Sequence, residues 1–427
     1  MLDRKFIVDN ADAVKQNCQN RGVAVDIDGF MALENRRKEI MPQVEDLNRQ
    51  ANEVSKTIGK AKDAAEREAR KNEGRQLREQ TTAKQAELDQ VLADMETFQR
   101  SIPNMTHPAA PLGGEADSVE VKQGRTPVKS LDFKPLDHVE LNERLDLFDL
   151  EAGGRVAGHG FYYMKNDGVR LELALQQYAM DVLSAAGFTP IITPDLALDK
   201  ILDGIGFIPR GPETQIYSIA NTDLSLVATA EITLGGMYAD QTFDAEQLPL
   251  KFCGLSHCFR TEAGAHGKAT RGLFRVHQFT KVEMFAFTTP EASDAAHEEI
   301  LQLECQLFDN LGIPYRVIDT ATGDLGGPAY RKYDLEAWMP GRGTAGEYAE
   351  VTSTSNCTDY QARRLNCRYR RKGEKGTQFL HTLNGTAFAI GRTIIAILEN
   401  YQQADGSVVV PEVLRKWLGK DLIVPKR

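Results

Sequence analysis

The 427-residue sequence has no Cys-x-x-Cys pair and no His-x-x-x-His spacing, so its six cysteines and eight histidines carry no zinc-ligand signature. The cysteines read as reduced, mostly buried thiols. No apolar run reaches the length needed to span a bilayer, and the opening MLDRKFIVDNAD is charged where a signal peptide would be apolar. No membrane association and a cytoplasmic setting are therefore expected. The chain also lacks an excess of positive charge: its formal net charge of −10 excludes wholesale wrapping by nucleic acid, while leaving room for a local basic patch.

The first hundred residues are dominated by two heptad seams. Leu33, Ile40, Val44, Leu47, Ala51, Val54, Ile58, Ala61 and Ala65 recur at steps of three and four with one beat missing. Leu77, Thr81, Lys84, Leu88, Val91, Met95, Phe98 and Ile102 do the same. With the polar stretch Glu66 to Gly74 as the tip, the pattern predicts an antiparallel coiled-coil hairpin. Pro42 removes a backbone donor within the first seam, so a kink or restart is expected there. Between Arg49 and Lys84 there are ten Lys or Arg and six acids, a local charge of +4. A solvated face laced with i,i+4 ion pairs explains such a charge. A positive tip on a long projection also suits a phosphate backbone.

Pro103, Pro108, Pro111, Gly113 and Gly114 end this pattern and open a polar stretch reaching about Pro135. Three regions are expected: an N-terminal arm domain (1–103), a linker (104–135) and a catalytic domain (136–427). In the last, a helical segment Val169 to Ala186 precedes the extended runs GFTPIITPDLAL, IYSIA, LSLVATAEITL, LKFCGLSHCF and VHQFTKVEMFAF. Strands that follow one another without helices imply an antiparallel sheet with helices on a face, an α+β architecture.

The chemistry-bearing residues cluster around two arginines, Arg260 in FRTEAGAHGKATRG (Phe259 to Gly272) and Arg392 in TLNGTAFAIGR (Thr382 to Arg392). A guanidinium is permanently charged and its planar fork matches phosphate or carboxylate oxygens. Two forks beside glycines suggest a polyphosphate. Arg260, Glu262, Arg271 and Arg275 bracket the glycine-rich stretch Gly264 to Gly272, which is a flexible turn taken alone but a nucleotide clamp in this company. Strand periodicity in VHQFTKVEMF places His277, Phe279, Lys281, Glu283 and Phe285 on one face. Glu350 and Ser353, in EVTSTSNCTDYQARR, supply the hard oxygens that magnesium prefers. Thr229 and Glu231 share a face if VATAE is extended. Arg392 sits in an apolar helix, where its charge is costly unless an anion meets it.

These segments resemble those of class II aminoacyl-tRNA synthetases. FRTEAG with RGLFRVHQFTKVEMF is similar to their motif 2, LNGTAFAIGRTIIAILENYQ to motif 3, and Pro194 to the motif 1 proline at the dimer interface. With the hairpin arm, the Thr-Ala-Glu signal and EVTSTSNCTDYQARR, the chain resembles the seryl-tRNA synthetases of bacterial type over essentially its whole length.

The resemblance implies a homodimeric ligase that uses ATP and Mg2+ to convert L-serine to seryl-adenylate, then charges tRNA(Ser) and, where the host has one, tRNA(Sec). It implies a catalytic role for Arg260, Arg392 and Glu350. ATP would be held by Arg260, Thr261, Glu262, Arg275, Phe279, Glu350, Val351, Thr352, Ser353 and Arg392. Within that set, Arg260 would take the α-phosphate, Glu262 and Phe279 the adenine side, and Arg392 the γ-phosphate. Thr229, Ala230, Glu231, Arg260, Glu283, Asn384 and Thr386 would hold serine, and Glu350 with Ser353 the magnesium ion. Thr229 and Glu231 would grip the ammonium and Glu283 the hydroxyl. Thr386 and Thr352 stand where the family more often has serine, and Gly206 to Ile216 and His266 also depart from its common form. Two alternatives are an adenylating ligase that charges a carrier protein, whose representatives lack the arm, and a catalytically silent RNA-binding paralogue, which would have lost an arginine or Glu350.

Overall fold

The computed structural model describes residues 1–207, 215–262 and 271–426, which form two compact units, Met1–Pro103 and Asn104–Arg427. The expectations for His266, for most of the glycine-rich stretch and for 208–214 lie outside the described residues.

The first unit is built on two long helices, α1 (Ile27–Ile58) and α2 (Ala64–Ser101), folded back on each other. Asp26 and Asp63 accept hydrogen bonds from the Gly29 and Glu66 amides, satisfying donors that a helix start leaves open. The seam is the expected one, with Ile40, Val44 and Ala51 buried on α1 and Leu88, Val91 and Met95 on α2. Two details differ. The tip is only Gly59 to Asp63, because the polar stretch Glu66 to Gly74 consists mostly of good helix formers and continues α2. Helix α1 also runs through Pro42, which lies exposed, so the carbonyl that loses its partner can turn to water. Among the described residues, no helix is long and apolar enough to cross a membrane.

The second unit is organised by an eight-stranded sheet. Its strands in chain order are β1 (Val119–Gln123), β2 (Thr189–Ile192), β3 (Leu250–Phe259), β4 (Gln278–Thr288), β5 (Tyr315–Asp319), β6 (Arg331–Met339), β7 (Glu347–Asn356) and β8 (His381–Ala389). Their spatial order is β1-β5-β6-β7-β8-β4-β3-β2, antiparallel throughout except for the β2–β3 pair. The expected linker thus supplies the edge strand β1.

Helices α3 (Asn166–Ala185), α5 (Ser293–Leu311) and α7 (Ile390–Tyr401) pack around this sheet, with the short α4 (Ala230–Gly236) between α3 and α5 in sequence and the short α6 (Tyr360–Leu365) between α5 and α7. Leu171, Leu175, Ile300, Leu307, Ile394 and Leu398 join the sheet's buried side chains in one core. Gly385 on β8 is required by the α5 contact, since an added Cβ would come within 2.3 Å of the Ile300 side chain. All six cysteines are free and buried.

The start of α4 departs from the strand expected across LSLVATAEITL. Only Leu224–Leu226 forms a strand, and Thr229 then caps a helix, its hydroxyl accepting the Glu231 amide at 3.2 Å. A threonine followed two residues on by a glutamate fits a helix start as well as a strand.

Candidate active site

Two irregularities of the sheet build the site. Opposite Leu335 and Glu336, strand β7 inserts Val351 as an extra residue, pairing Thr352 with Leu335 and Glu350 with Glu336. In a regular strand, residues three apart point to opposite faces; the bulge brings Glu350 and Ser353 to one cavity. Strand β8 carries a second bulge at Ala387, with Thr386 facing Glu283 and Phe388 facing Val282 on β4.

The resulting cleft consists of two adjoining cavities. One is lined by Glu262, Phe274, Arg275, Phe279, Glu350, Val351, Thr352 and Arg392. The other is lined by Gln215, Thr229, Glu231, Glu283, Lys332, Ser355, Cys357 and Asn384. Arg260, Lys281, Ser353 and Thr386 line both. The structure thus gathers most of the sequence-derived ATP residues on one side and most of the serine residues on the other. Thr261 and Ala230 line neither cavity, and Ala230 is fully buried.

In the first cavity, Arg392 donates to the Glu350 carbonyl at 3.0 Å, to its carboxylate at 3.2 Å and to the Phe274 carbonyl at 3.2 Å. The apolar helix therefore supplies a cation whose partners lie outside the helix. Burial alone would raise the Glu350 carboxyl, but the charges of Arg392 and Lys332 outweigh it and hold the group below its ordinary value. Glu350 thus stays an oxygen donor. Arg275 bonds Glu262 at 2.7 Å, and the Arg260 guanidinium stands 5.2 Å over the Phe279 ring. Arg271 pairs instead with Asp137 at 3.1 Å and lines a separate cavity with His138, Arg342 and Glu399.

Thr352 lines the first cavity, yet its hydroxyl donates to the buried Glu304 of α5 at 3.1 Å. That leaves its backbone, rather than its hydroxyl, for a ligand. Glu350 and Ser353 offer the hard oxygens and open surroundings that suit magnesium bridging phosphates. Among the described residues no group of three or more His, Cys, Asp or Glu is placed to hold a metal, so such an ion would depend on the nucleotide for its remaining ligands.

In the second cavity, Glu283 is held by the Thr386 hydroxyl at 3.0 Å and by the ammonium of Lys281. Both members of that ion pair are almost fully buried. Glu231 accepts from Asn384 at 3.0 Å and from Gln361 at 2.7 Å. Burial, reinforced by the charge of Glu283, pushes the Glu231 carboxyl up to about 7.

Sequence reasoning missed several contributors. Phe274 has both Arg342 (4.3 Å) and Arg392 (4.6 Å) over its ring, making it a second aromatic platform beside Phe279. Its only sequence signal is its place beside Arg275. Lys281 was visible on the Phe279 and Glu283 face but had no assigned part. Gln361 and Lys332 gave no signal, because nothing in their segments shows which strand or helix they meet.

Comparison with known proteins covers the whole chain. Residues 1–106 match the family model described as the seryl-tRNA synthetase N-terminal domain, and residues 217–401 match the tRNA synthetase class II core domain (G, H, P, S and T). A serine–tRNA ligase of Rhodopirellula baltica is 63% identical over 423 residues, spanning 99% of each chain. Among solved structures, a seryl-tRNA synthetase from Pyrococcus horikoshii complexed with ATP superposes with a TM-score of 0.91 at 37% identity, each chain covered completely. A cytoplasmic serine–tRNA ligase from Naegleria fowleri in complex with AMP gives 0.88 at 32% identity, with 100% of this chain and 99% of that one covered.

Proposed function

The chain belongs to the seryl-tRNA synthetase family, and from that membership we propose the following division of labour for its serine–tRNA ligase activity. The observation that carries it is the set Arg260, Lys281, Ser353 and Thr386, common to both cavities. That junction is where a carboxylate from one side and an α-phosphate from the other would meet.

A serine carboxylate oxygen attacks the α-phosphorus of ATP. The bond to the bridging oxygen breaks, and pyrophosphate leaves with the electron pair. A terminal hydroxyl of the tRNA 3′ adenosine then attacks the seryl carbonyl, and AMP leaves. Arg260 and Arg392 hold and neutralise the phosphates. Glu350 and Ser353 would hold the magnesium ion, which shields charge on the phosphates. Alignment and preorganised positive charge account for the acceleration, with no covalent enzyme intermediate.

On the amino-acid side, Glu231 and Thr229 take the ammonium, and Glu283 with Thr386 takes the hydroxyl, which distinguishes serine from alanine by leaving buried acceptors unpaired in the wrong complex. The helical arm, +4 between Arg49 and Lys84, serves tRNA(Ser) and, where the host has one, tRNA(Sec). Neither the carrier-protein ligase nor the silent paralogue is favoured by any feature of the site or the arm.

A homodimer is supported by the free edge of β2 and its apolar surroundings, where Ile192 is 82% and Leu173 57% exposed. A cytoplasmic setting accords with the chain's translation chemistry.

Amino-acid-dependent ATP–pyrophosphate exchange with each of the twenty amino acids tests the assignment. Exchange should depend on serine and magnesium and vanish in Arg260→Ala. Near-normal exchange in that variant removes Arg260 from the phosphate-binding role.

A further inference from the structure

Gln361, on α6, is fully buried, and every polar atom of its amide is engaged. Its amide nitrogen donates to the Ile205 carbonyl at 3.1 Å and to Glu231 Oε1 at 2.7 Å. Its oxygen accepts the Thr382 hydroxyl at 2.6 Å. The orientation of this amide is not arbitrary: a backbone carbonyl accepts only, so the NH2 must face Ile205, and the same NH2 then has its second hydrogen for Glu231.

Asn384 donates to Glu231 Oε1 as well, at 3.0 Å. Two amides therefore converge on one carboxylate oxygen, and among the described residues no bond is made to Oε2. That oxygen is the one available to a substrate cation in the cavity Glu231 lines. Gln361 lines neither cavity, so it reaches a ligand only through Glu231.

We propose that Gln361 is a positioning residue for amino-acid activation: by occupying Oε1 of Glu231 it fixes that carboxylate's orientation and favours its charged form, leaving Oε2 to receive the substrate ammonium. This rests on the assignment of Glu231 to the ammonium given above.

The groups that face Glu231 show why a donor is needed there. Glu283, from β4, repels a second negative charge; Lys281, also from β4, and Arg260, just beyond β3, offset it in part; Asn384, from β8, is neutral. Burial opposes ionisation and the Gln361 bond favours it, so the carboxyl lies close to neutrality, where loss of one donor changes its protonation state. A protonated Glu231 has no charge for an ammonium. Loss of the donor should therefore weaken serine binding most at low pH and least at high pH.

The test is Gln361→Met, which keeps the volume and removes the donor, assayed by serine-dependent pyrophosphate exchange between pH 6 and 8.5. The expected result is a serine KM raised ~10-fold or more near pH 6.5 and recovering toward the wild-type value by pH 8.5, with the ATP KM changed less than ~2-fold. An increase by the same factor at every pH would mean mere loosening of the pocket and would overturn the proposal, as would an unchanged KM. Thr382→Val, which frees the Gln361 oxygen, should shift the same limb in the same direction and serves if the methionine variant does not fold. Glu231→Gln separates the two levels of argument. If it leaves the serine KM unaltered, the ammonium assignment fails; if it raises KM while both other variants stay at the wild-type value, only the role of Gln361 fails.

Discussion

Replacing Glu283 by glutamine should cost the enzyme its preference for serine over alanine while leaving the nucleotide side intact. The carboxylate is almost fully buried, paired with Lys281 and bonded by the Thr386 hydroxyl at 3.0 Å. Glutamine keeps the shape and an accepting oxygen, so Lys281 is not left without a partner, as it would be in Glu283→Ala, where breaking a buried pair typically costs ~3–5 kcal/mol. What changes is the strength of the bond offered to the substrate hydroxyl. Hydrogen bonds to a charged group contribute roughly 1.5–3 kcal/mol, against ~1 kcal/mol for a neutral pair. The difference corresponds to a fall of about 2- to 30-fold in serine kcat/KM. Alanine makes no such bond and should be used almost as well as before. The assay is pyrophosphate exchange with serine and with alanine, each at saturating ATP, reported as the ratio of the two kcat/KM values. If both fall together and the ratio is preserved, Glu283 is structural and does not read the hydroxyl.

Three other outcomes are expected. Replacing Arg49–Lys84 by a short turn should leave pyrophosphate exchange near wild type and lower tRNA charging by orders of magnitude; equal loss of both activities would refute the separation of arm and site. Deleting Val351 removes the bulge and leaves Glu350 and Ser353 two apart, a spacing that a regular strand also keeps on one face, so magnesium-dependent exchange should be largely retained, and its loss would show that the bulge does more than align this pair. For Glu304, burial raises the carboxyl well above its ordinary value, so the folded chain holds that proton more tightly than the unfolded one. A group whose folded value is raised contributes stability at low pH and loses it as pH rises above the unfolded carboxyl range. Glu304→Gln should therefore melt close to wild type near pH 4.5 and gain Tm over it as pH increases, and a gain that shrinks toward alkaline pH would contradict the burial argument.

The arm was legible because its signal is local. Steps of three and four encode which side of each helix is buried, and Ile40, Val44, Leu88 and Val91 are buried as those steps require. Its tip was misplaced by several residues because polarity was taken for a break, although Glu66, Arg67, Ala69 and Arg70 favour a helix. The sheet was legible in type, from strands that follow one another without helices, but not in order: β7 and β8 lie side by side with α6 between them in sequence, and nothing local encodes that. At the start of α4, Thr229 and Glu231 fitted both a strand and a cap, and only packing decides.

The site shows where local reasoning stops. Periodicity correctly aligned Phe279, Lys281 and Glu283, because β4 is regular over that stretch. It could not align Glu350 with Ser353, since a spacing of three in a strand predicts opposite faces, and their joint presence in the cavity depends on the extra residue at Val351. The Thr386 bond to Glu283 likewise depends on cross-strand register. Gln361 is the extreme case. It lies 130 positions from Glu231 in sequence, yet its two donors and one acceptor are all satisfied by residues from three separate segments. Motifs therefore reveal the charged groups that line the cavities, whose chemistry is unusual for their surroundings. The amides and hydroxyls that tune those groups look like any buried polar residue, and become visible only when each donor is traced to its acceptor.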